Sequence, residues 1–182
     1  VREPPASGVL RIGLLSDTHG LVHPGLAAAF RGCAAIVHAG DLVKPDILAA
    51  LRPLAPVHAV RGNNDHAPSL AGLPEALALP LGGLTALVLH DLGPQGKPHA
   101  AARPHLARHR PDVVVHGHSH RPEASVHGGV LYVNPGSAGP RRFDLPRTAA
   151  LLEIDGRRVR LAFVDLGGDA PAPRGRPLRV EL

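Results

Sequence analysis

Three histidines stand at alternate positions in the pentapeptide HGHSH, residues 116–120, directly after the apolar run Val113–Val115. On a strand, His116, His118 and His120 would share a face, whereas a turn at Gly117 would aim two of the imidazoles at one point. Converging neutral imidazoles are what a transition metal takes as ligands. Further segments carry side chains of the same kind: Asp17 and His19 in SDTHG, Asp41 in HAGD, Asn63 in RGNND and His90 in LHD. Together Asp17, His19, Asp41, Asn63, His90, His118 and His120 form a mixed nitrogen and oxygen donor set too large for one tetrahedral zinc. It suits two divalent ions of the manganese, iron, zinc or nickel type bridged by a carboxylate. A wholly structural role would instead bury seven polar side chains, each needing its own hydrogen-bond partners.

The apolar runs show how these segments could meet. VLRIGLL (9–15), AAIVHAG (34–40) and PVHAVRG (56–62) read as buried strands. Between them lie two helical stretches, HPGLAAAFRG (23–32), closed by Gly32, and PDILAALRP (45–53), with Pro45 near its start. This alternation implies parallel strands joined by right-handed crossovers. Farther on, LALPLGG (77–83), TALVLH (85–90), PDVVVHG (111–117), ASVHGGVLYVN (124–134) and TAALLEIDGRRVRLAFVDL (148–166) are strand-like. The pair Asp155–Gly156 marks a hairpin turn, and PHAAARPHLARHR (98–110) is the helical stretch among them. Ligands in open α/β sheets bind beyond the carboxyl ends of the strands, which is where the seven donors fall. We expect a single domain over 1–182, with a core at about 10–166. Because GGDAPAPRGRP is rich in glycine and proline, residues 167–182 are expected to form a loose C-terminal tail.

In the order SDTHG, HAGD, GNND, LH, HGHSH and NPGS (134–137), over about residues 10–166, the chain resembles the calcineurin-like metallophosphoesterases. Among them it resembles the small YfcE-like phosphodiesterases. The resemblance implies an α/β fold, a four-layer αββα sandwich of two mixed β-sheets flanked by helices. It also implies one metal held by Asp17, His19 and His120 and another by Asn63, His90 and His118, with Asp41 bridging. His118 and His120 would then face different ions. The implied activity is that of a hydrolase, a dinuclear metal-dependent phosphodiesterase in which a metal-bridging hydroxide attacks phosphorus without a side-chain nucleophile. Manganese is the expected metal, with iron, nickel or zinc as alternatives. Asp17 and Asp41 would offset only part of the cations' charge, leaving positive potential for an anionic substrate.

Two positions depart from the family. Asn64 stands where many members of the superfamily carry a histidine that protonates the leaving group, and where YfcE-like relatives often carry cysteine. Asparagine is no acid, but its amide can donate to a phosphate oxygen, which makes Asn64 a candidate catalytic residue. Asp91 stands where the family usually has glycine, and a carboxylate there would repel a dianionic monoester. Both departures favour a phosphodiester. The alternatives are a phosphomonoesterase acting on a nucleotide or sugar phosphate and a Vps29-like protein-interaction scaffold. His38 and His116 are expected to orient ligands, Asp65 to anchor its loop and NPGS to form a tight turn. His23, His99, His105, His109 and His127 read as surface residues.

Composition narrows the partners. The chain is 44% hydrophobic but only 2% aromatic, so aliphatic side chains must fill the core. A formal charge of +5 and a pI near 10.6 invite a nucleic-acid reading, but the arginines are scattered and the aromatic platforms that stack on single strands are missing. The expected partner is a small phosphate-ester substrate, with neither nucleic acid nor membrane, and a homo-oligomer is left open. No run approaches the roughly 18–20 apolar residues that cross a bilayer, and the opening VREPPASG lacks the apolar stretch of a signal peptide. Cys33 is the sole cysteine, which excludes an internal disulfide and fits a reducing, cytoplasmic location.

Overall fold

The computed structural model describes residues 8–94, 97–142, 144–167 and 177–182. Two mixed sheets stack face to face. In the first, β1 (Leu10–Leu15), β2 (Ala35–His38) and β3 (Val57–Ala59) are parallel. Antiparallel strands β9 (Thr148–Asp155), β10 (Arg158–Asp165) and β11 (Leu178–Glu181) extend this sheet, giving the order β11-β10-β9-β1-β2-β3. The second sheet comprises β4 (Ala76–Leu81), β5 (Leu84–Leu89), β6 (Val113–Val115), β7 (Pro122–His127) and β8 (Val130–Pro135), in the order β4-β5-β6-β8-β7. There β5, β6 and β8 are parallel, with β4 and β7 antiparallel at the edges.

The two-residue period of a strand sorts the side chains into layers. Leu10, Ile12 and Leu14 of β1, Ala35 and Val37 of β2, and Ala150, Leu152 and Ile154 of β9 meet Leu84, Ala86 and Val88 of β5, Val113 and Val115 of β6, and Leu131 and Val133 of β8 between the sheets. The alternate residues Leu15 and Ile36 face outward, under Leu26 and Phe30 from α1 (Gly25–Ala29) and its end and Ile47 and Leu51 of α2 (Asp46–Leu51). On the other outer face, Leu87, Leu89 and Val114 pack beneath Ala102 and Leu106 of α3 (Ala102–His109). This is the four-layer αββα sandwich. Gly13 makes room for the α1 layer, since a Cβ there would stand 2.8 Å from the buried Phe30 ring.

The structure shifts several expected boundaries. The stretch 124–134 is two strands of a hairpin, β7 and β8, turning at Gly128–Gly129. The β9–β10 turn is Gly156–Arg157, one residue later than expected, because Asp155 already pairs with Arg158. The 98–110 helix begins only at Ala102, since His99 N–H closes a loop onto Leu92 O at 2.9 Å. The expectation of a loose tail over 167–182 is corrected at its end. Leu178–Glu181 join the first sheet as edge strand β11, their backbone paired with β10, while 168–176 lie outside the described residues.

Candidate metal centre

The carboxyl ends of β1, β2, β3, β5 and β6 open onto one place. Asp17 and His19 leave β1, Asp41 leaves β2, Asn63 follows β3, His90 follows β5, and His118 and His120 follow β6. Five of these turn away from their strands through left-handed backbone, with φ of 54° at Asp17, 44° at His19, 59° at Asp41, 67° at His118 and 59° at His120. The loops interlock through backbone hydrogen bonds, Asp17 N–H to Gly40 O at 3.0 Å, His19 N–H to Asp41 O at 3.0 Å and Gly117 N–H to His90 O at 2.9 Å.

The side chains gather in two groups. In one, His120 Nε2 stands 3.2 Å from Asp17 Oδ1 and 3.3 Å from His19 Nε2. In the other, His90 Nε2 and His118 Nδ1 each lie 3.0 Å from Asn63 Oδ1. Asp41 stands between them, its Oδ2 3.8 Å from His19 Nε2 and 3.5 Å from His90 Nε2. His118 and His120 therefore do belong to different groups. Donor atoms of Asp17, His19 and His120 all fall within 4.8 Å of one another, as do those of Asp17, Asp41 and His90.

The donor set fits cations. His90 Nδ1 sits 2.8 Å from the Ala39 carbonyl, to which it can only donate, so in the neutral ring Nε2 presents a lone pair to Asn63 Oδ1 and Asp41 Oδ2. His19 and His120 similarly set nitrogen against nitrogen. Asp17 Oδ1 is buried among these groups without a hydrogen bond. A shared positive charge would satisfy lone pairs set against one another in this way. Burial alone would raise the Asp41 carboxyl, but its attraction to a protonated His90 and the hydrogen bonds from Asn64 hold it well below the usual carboxylate range. Asp17 is also lowered, with burial opposing and His120 and His90 prevailing.

Other residues hold the loops. Asp65 accepts three backbone N–H groups, from Asp41 at 3.0 Å, Val43 at 2.6 Å and Gly62 at 2.8 Å, as expected of an anchor. The NPGS turn has a positioning role: Asn134 Nδ2 donates to Gly117 O at 2.8 Å, and Ser137 Oγ donates to Asp17 O at 2.9 Å. Gly62 and Gly117 are glycines for want of space. A Cβ on Gly62 would run into Asp41 N and Oδ1, and one on Gly117 into Ser16 Oγ.

Two expectations need adjustment. Asn64 Nδ2 donates to Asp41 Oδ2 at 2.6 Å and its backbone N–H to Asp41 Oδ1 at 2.8 Å, so it clamps the carboxylate between the two groups. Among the described residues, His38 hydrogen-bonds to none of the seven donor side chains. Its Nδ1 accepts from Gly40 N–H at 3.2 Å, which puts its proton on Nε2, bonded to Thr18 Oγ1 at 3.0 Å. His99 is exposed, as expected of a surface residue, and faces Asp91 Oδ2 at 3.5 Å, while that oxygen lies 3.9 Å from His118 Nε2. Sequence reasoning missed Arg142, whose Nη2 lies 3.4 Å from His19 Nδ1. Its one signal was the arginine pair 141–142 soon after NPGS.

Buried imidazoles are expected to make the metal-free protein acid-sensitive. Burial pushes His38 down to about 3, with the Asp17 carboxylate reversing this only in part, and pushes His116 down to about 4. Burial also lowers His19 and His58; at His90 the Asp41 and Asp17 carboxylates outweigh burial and raise the pKa, with opposite sign. A lowered folded pKa means that below about 6.5 the unfolded chain binds protons the fold refuses, so stability is full above that pH and falls towards the folded value. Asp17 and Asp41 begin to contribute only near and below their ordinary 3.8. His38 alone should cost about 2–3 kcal/mol between pH 7.5 and 4.5. Denaturant melts in chelator across that range should show the loss, and His38→Asn should flatten the slope. An unchanged slope would assign the acid sensitivity to other groups.

Fold and donor cluster together have the form of a metallophosphoesterase. The chain belongs to the calcineurin-like phosphoesterase superfamily, whose domain model matches residues 10–157. It is 31% identical, over 174 residues, to a probable metallophosphoesterase of Methanothermobacter thermautotrophicus, covering 92% of this chain and 98% of that protein. Among solved structures, Entamoeba histolytica Vps29 complexed with zinc superposes with a TM-score of 0.73 at 23% identity, covering 94% of this chain and 99% of that one. A novel archaeal phosphodiesterase gives 0.67 at 21% identity, covering 85% and 100%. At these identities the structural likenesses speak for the fold. No helix among the described residues is long and apolar enough to cross a membrane.

Proposed function

We propose that this chain is a dinuclear metal-dependent phosphodiesterase. The observation that carries the reading is the pair of donor groups sharing Asp41 Oδ2. Asp17, His19 and His120 would hold one cation and Asn63, His90 and His118 the other, with Asp41 serving both. When bound, such ions supply Lewis acidity, drawing in phosphate oxygens and lowering the pKa of water; manganese is the first candidate. The chain's own residues do the positioning. The Ala39 carbonyl fixes the His90 ring, Asp65 ties together the loops carrying Asp41 and Asn63, and Asn64 clamps Asp41. One amide hydrogen of Asn64 is used on Asp41; the other remains for a phosphate oxygen.

Preference for a diester rests on what flanks the centre. A cleft of about 400 Å³ borders Asn63, His90 and Asp91, and another of about 410 Å³ borders Asp91 and His118. One cleft can take each ester arm, with the Asp91 carboxylate standing between them against the extra charge of a monoester. Asn64 supplies no proton, so departing groups must be acidic. The test is turnover by manganese-loaded protein. Bis(p-nitrophenyl) phosphate should exceed p-nitrophenyl phosphate in kcat/KM, and alkyl diesters should be slower by about 10²–10⁴-fold, the usual contribution of a general acid. A monoester preference would favour a nucleotide or sugar phosphomonoesterase. Likeness to Vps29 in fold supports the second reading, a protein-interaction scaffold, which metal uptake without any turnover would favour.

A further inference from the structure

We propose that Arg142 grips the phosphate group of the substrate at the Asp17–His19–His120 end of the centre, making it the residue that sets affinity for the anion. This rests on the metal-dependent phosphoesterase reading. The segment leading to Arg142 is held against the first donor loop. Ala138 N–H bonds to Ser16 O at 3.0 Å, Ser137 Oγ to Asp17 O at 2.9 Å, and Gly139 is so close that a Cβ would meet the carbonyls of Asp17 and Thr18. The exposed Arg142 is thereby placed at the rim, with Nη2 3.4 Å from His19 Nδ1.

The two nitrogens of His19 face opposite ways. Nε2 looks inward, 3.3 Å from His120 Nε2, 3.8 Å from Asp41 Oδ2 and 3.9 Å from Asp17 Oδ1. A neutral imidazole that gives its Nε2 lone pair to a cation carries its hydrogen on Nδ1. That N–H then faces a guanidinium, which has only donors to offer. Two donors turned towards each other leave a place that an anionic oxygen can fill by accepting from both, and a guanidinium matches the fork of a phosphate. The site is polarised accordingly, with Arg142 beside His19 at one end and Asp91 beside His118 at the other. Arg61, near the first cleft, is already tied to Glu75 at 2.6 Å, and Arg141 lies 3.7 Å from Asp144.

The experiment compares wild type, Arg142→Lys and Arg142→Gln in three measurements: manganese titration, inhibition of diester cleavage by inorganic phosphate, and steady-state kinetics. Manganese uptake should match within about twofold, because Arg142 holds no metal. The phosphate Ki and the diester KM should rise about 10–100-fold in Arg142→Gln, as expected for a lost charge-assisted hydrogen bond. Arg142→Lys should fall between, keeping the charge but losing the fork. A Ki within twofold of wild type in Arg142→Gln would overturn the proposal, and so would loss of manganese uptake in that variant, which would make Arg142 a support of the centre. A wild type that takes up no manganese would overturn the underlying reading as well, and the titration reveals this before phosphate is added.

Discussion

Asp41→Asn is expected to lose manganese-dependent turnover by about 10³-fold or more, since several kcal/mol of charge stabilisation at a metal centre corresponds to that factor. Asp41 Oδ2 is the oxygen both donor groups approach, so neutralising it weakens both positions at once. An amide there must also set a donor against one of the two Asn64 N–H groups that Asp41 now accepts. Thermal melts supply the check. Saturating manganese should raise the midpoint of wild type, by the roughly 4 kcal/mol that follows from about 1,000-fold excess over Kd, and should leave the variant almost unmoved. A variant that keeps both its metal shift and its turnover would remove Asp41 from the shared position.

Gly62→Ala should have the largest effect on the fold itself. An added methyl would run into Asp41 N and Oδ1, with Asp41 Cγ at 2.9 Å, while Gly62 N–H is held by Asp65 Oδ2 at 2.8 Å. Neither the backbone nor the anchored carboxylate can give way cheaply, so a loss of about 3 kcal/mol is expected in chelator, at the upper end for overpacking. Manganese affinity should also collapse, because what moves is Asp41. Gly72→Ala is the control. A Cβ there meets nothing within 4 Å, so stability should change by about 0.5 kcal/mol or less. Near-equal behaviour of the two variants would show that the Gly62 loop relaxes freely.

Much of this architecture was legible in the chain because its signals are local. Each of the seven donors comes soon after an apolar run, so recognising the runs as strands put the donors at strand ends. The layers were readable for the same reason, since Leu10, Ile12 and Leu14 alternate with residues facing the helices. What escaped notice depends on contacts between distant positions. Arg142 and His19 are 123 residues apart, Asn64 and Asp41 are 23 apart, and neither pairing has a local pattern. Strand β11 was hidden differently. Leu178, Arg179 and Glu181 are exposed and Val180 only half-buried, so LRVE lacks the buried alternation that announces a strand, and backbone pairing with β10 places it.

The left-handed backbone at Asp17, His19, Asp41, His118 and His120 sets robustness against function. Each such residue costs roughly 1–2 kcal/mol that glycine would not incur, so part of the chain's thermal resilience is given up to point side chains at one another. Glycine at any of these positions would relieve that cost and remove a donor. Laboratory evolution for heat tolerance in metal-free medium would therefore be free to erode these five positions, as it would Val43 and Arg110, which share the left-handed backbone without supplying a donor, whereas the same selection with manganese present would keep the five, since metal binding then offsets the conformational cost.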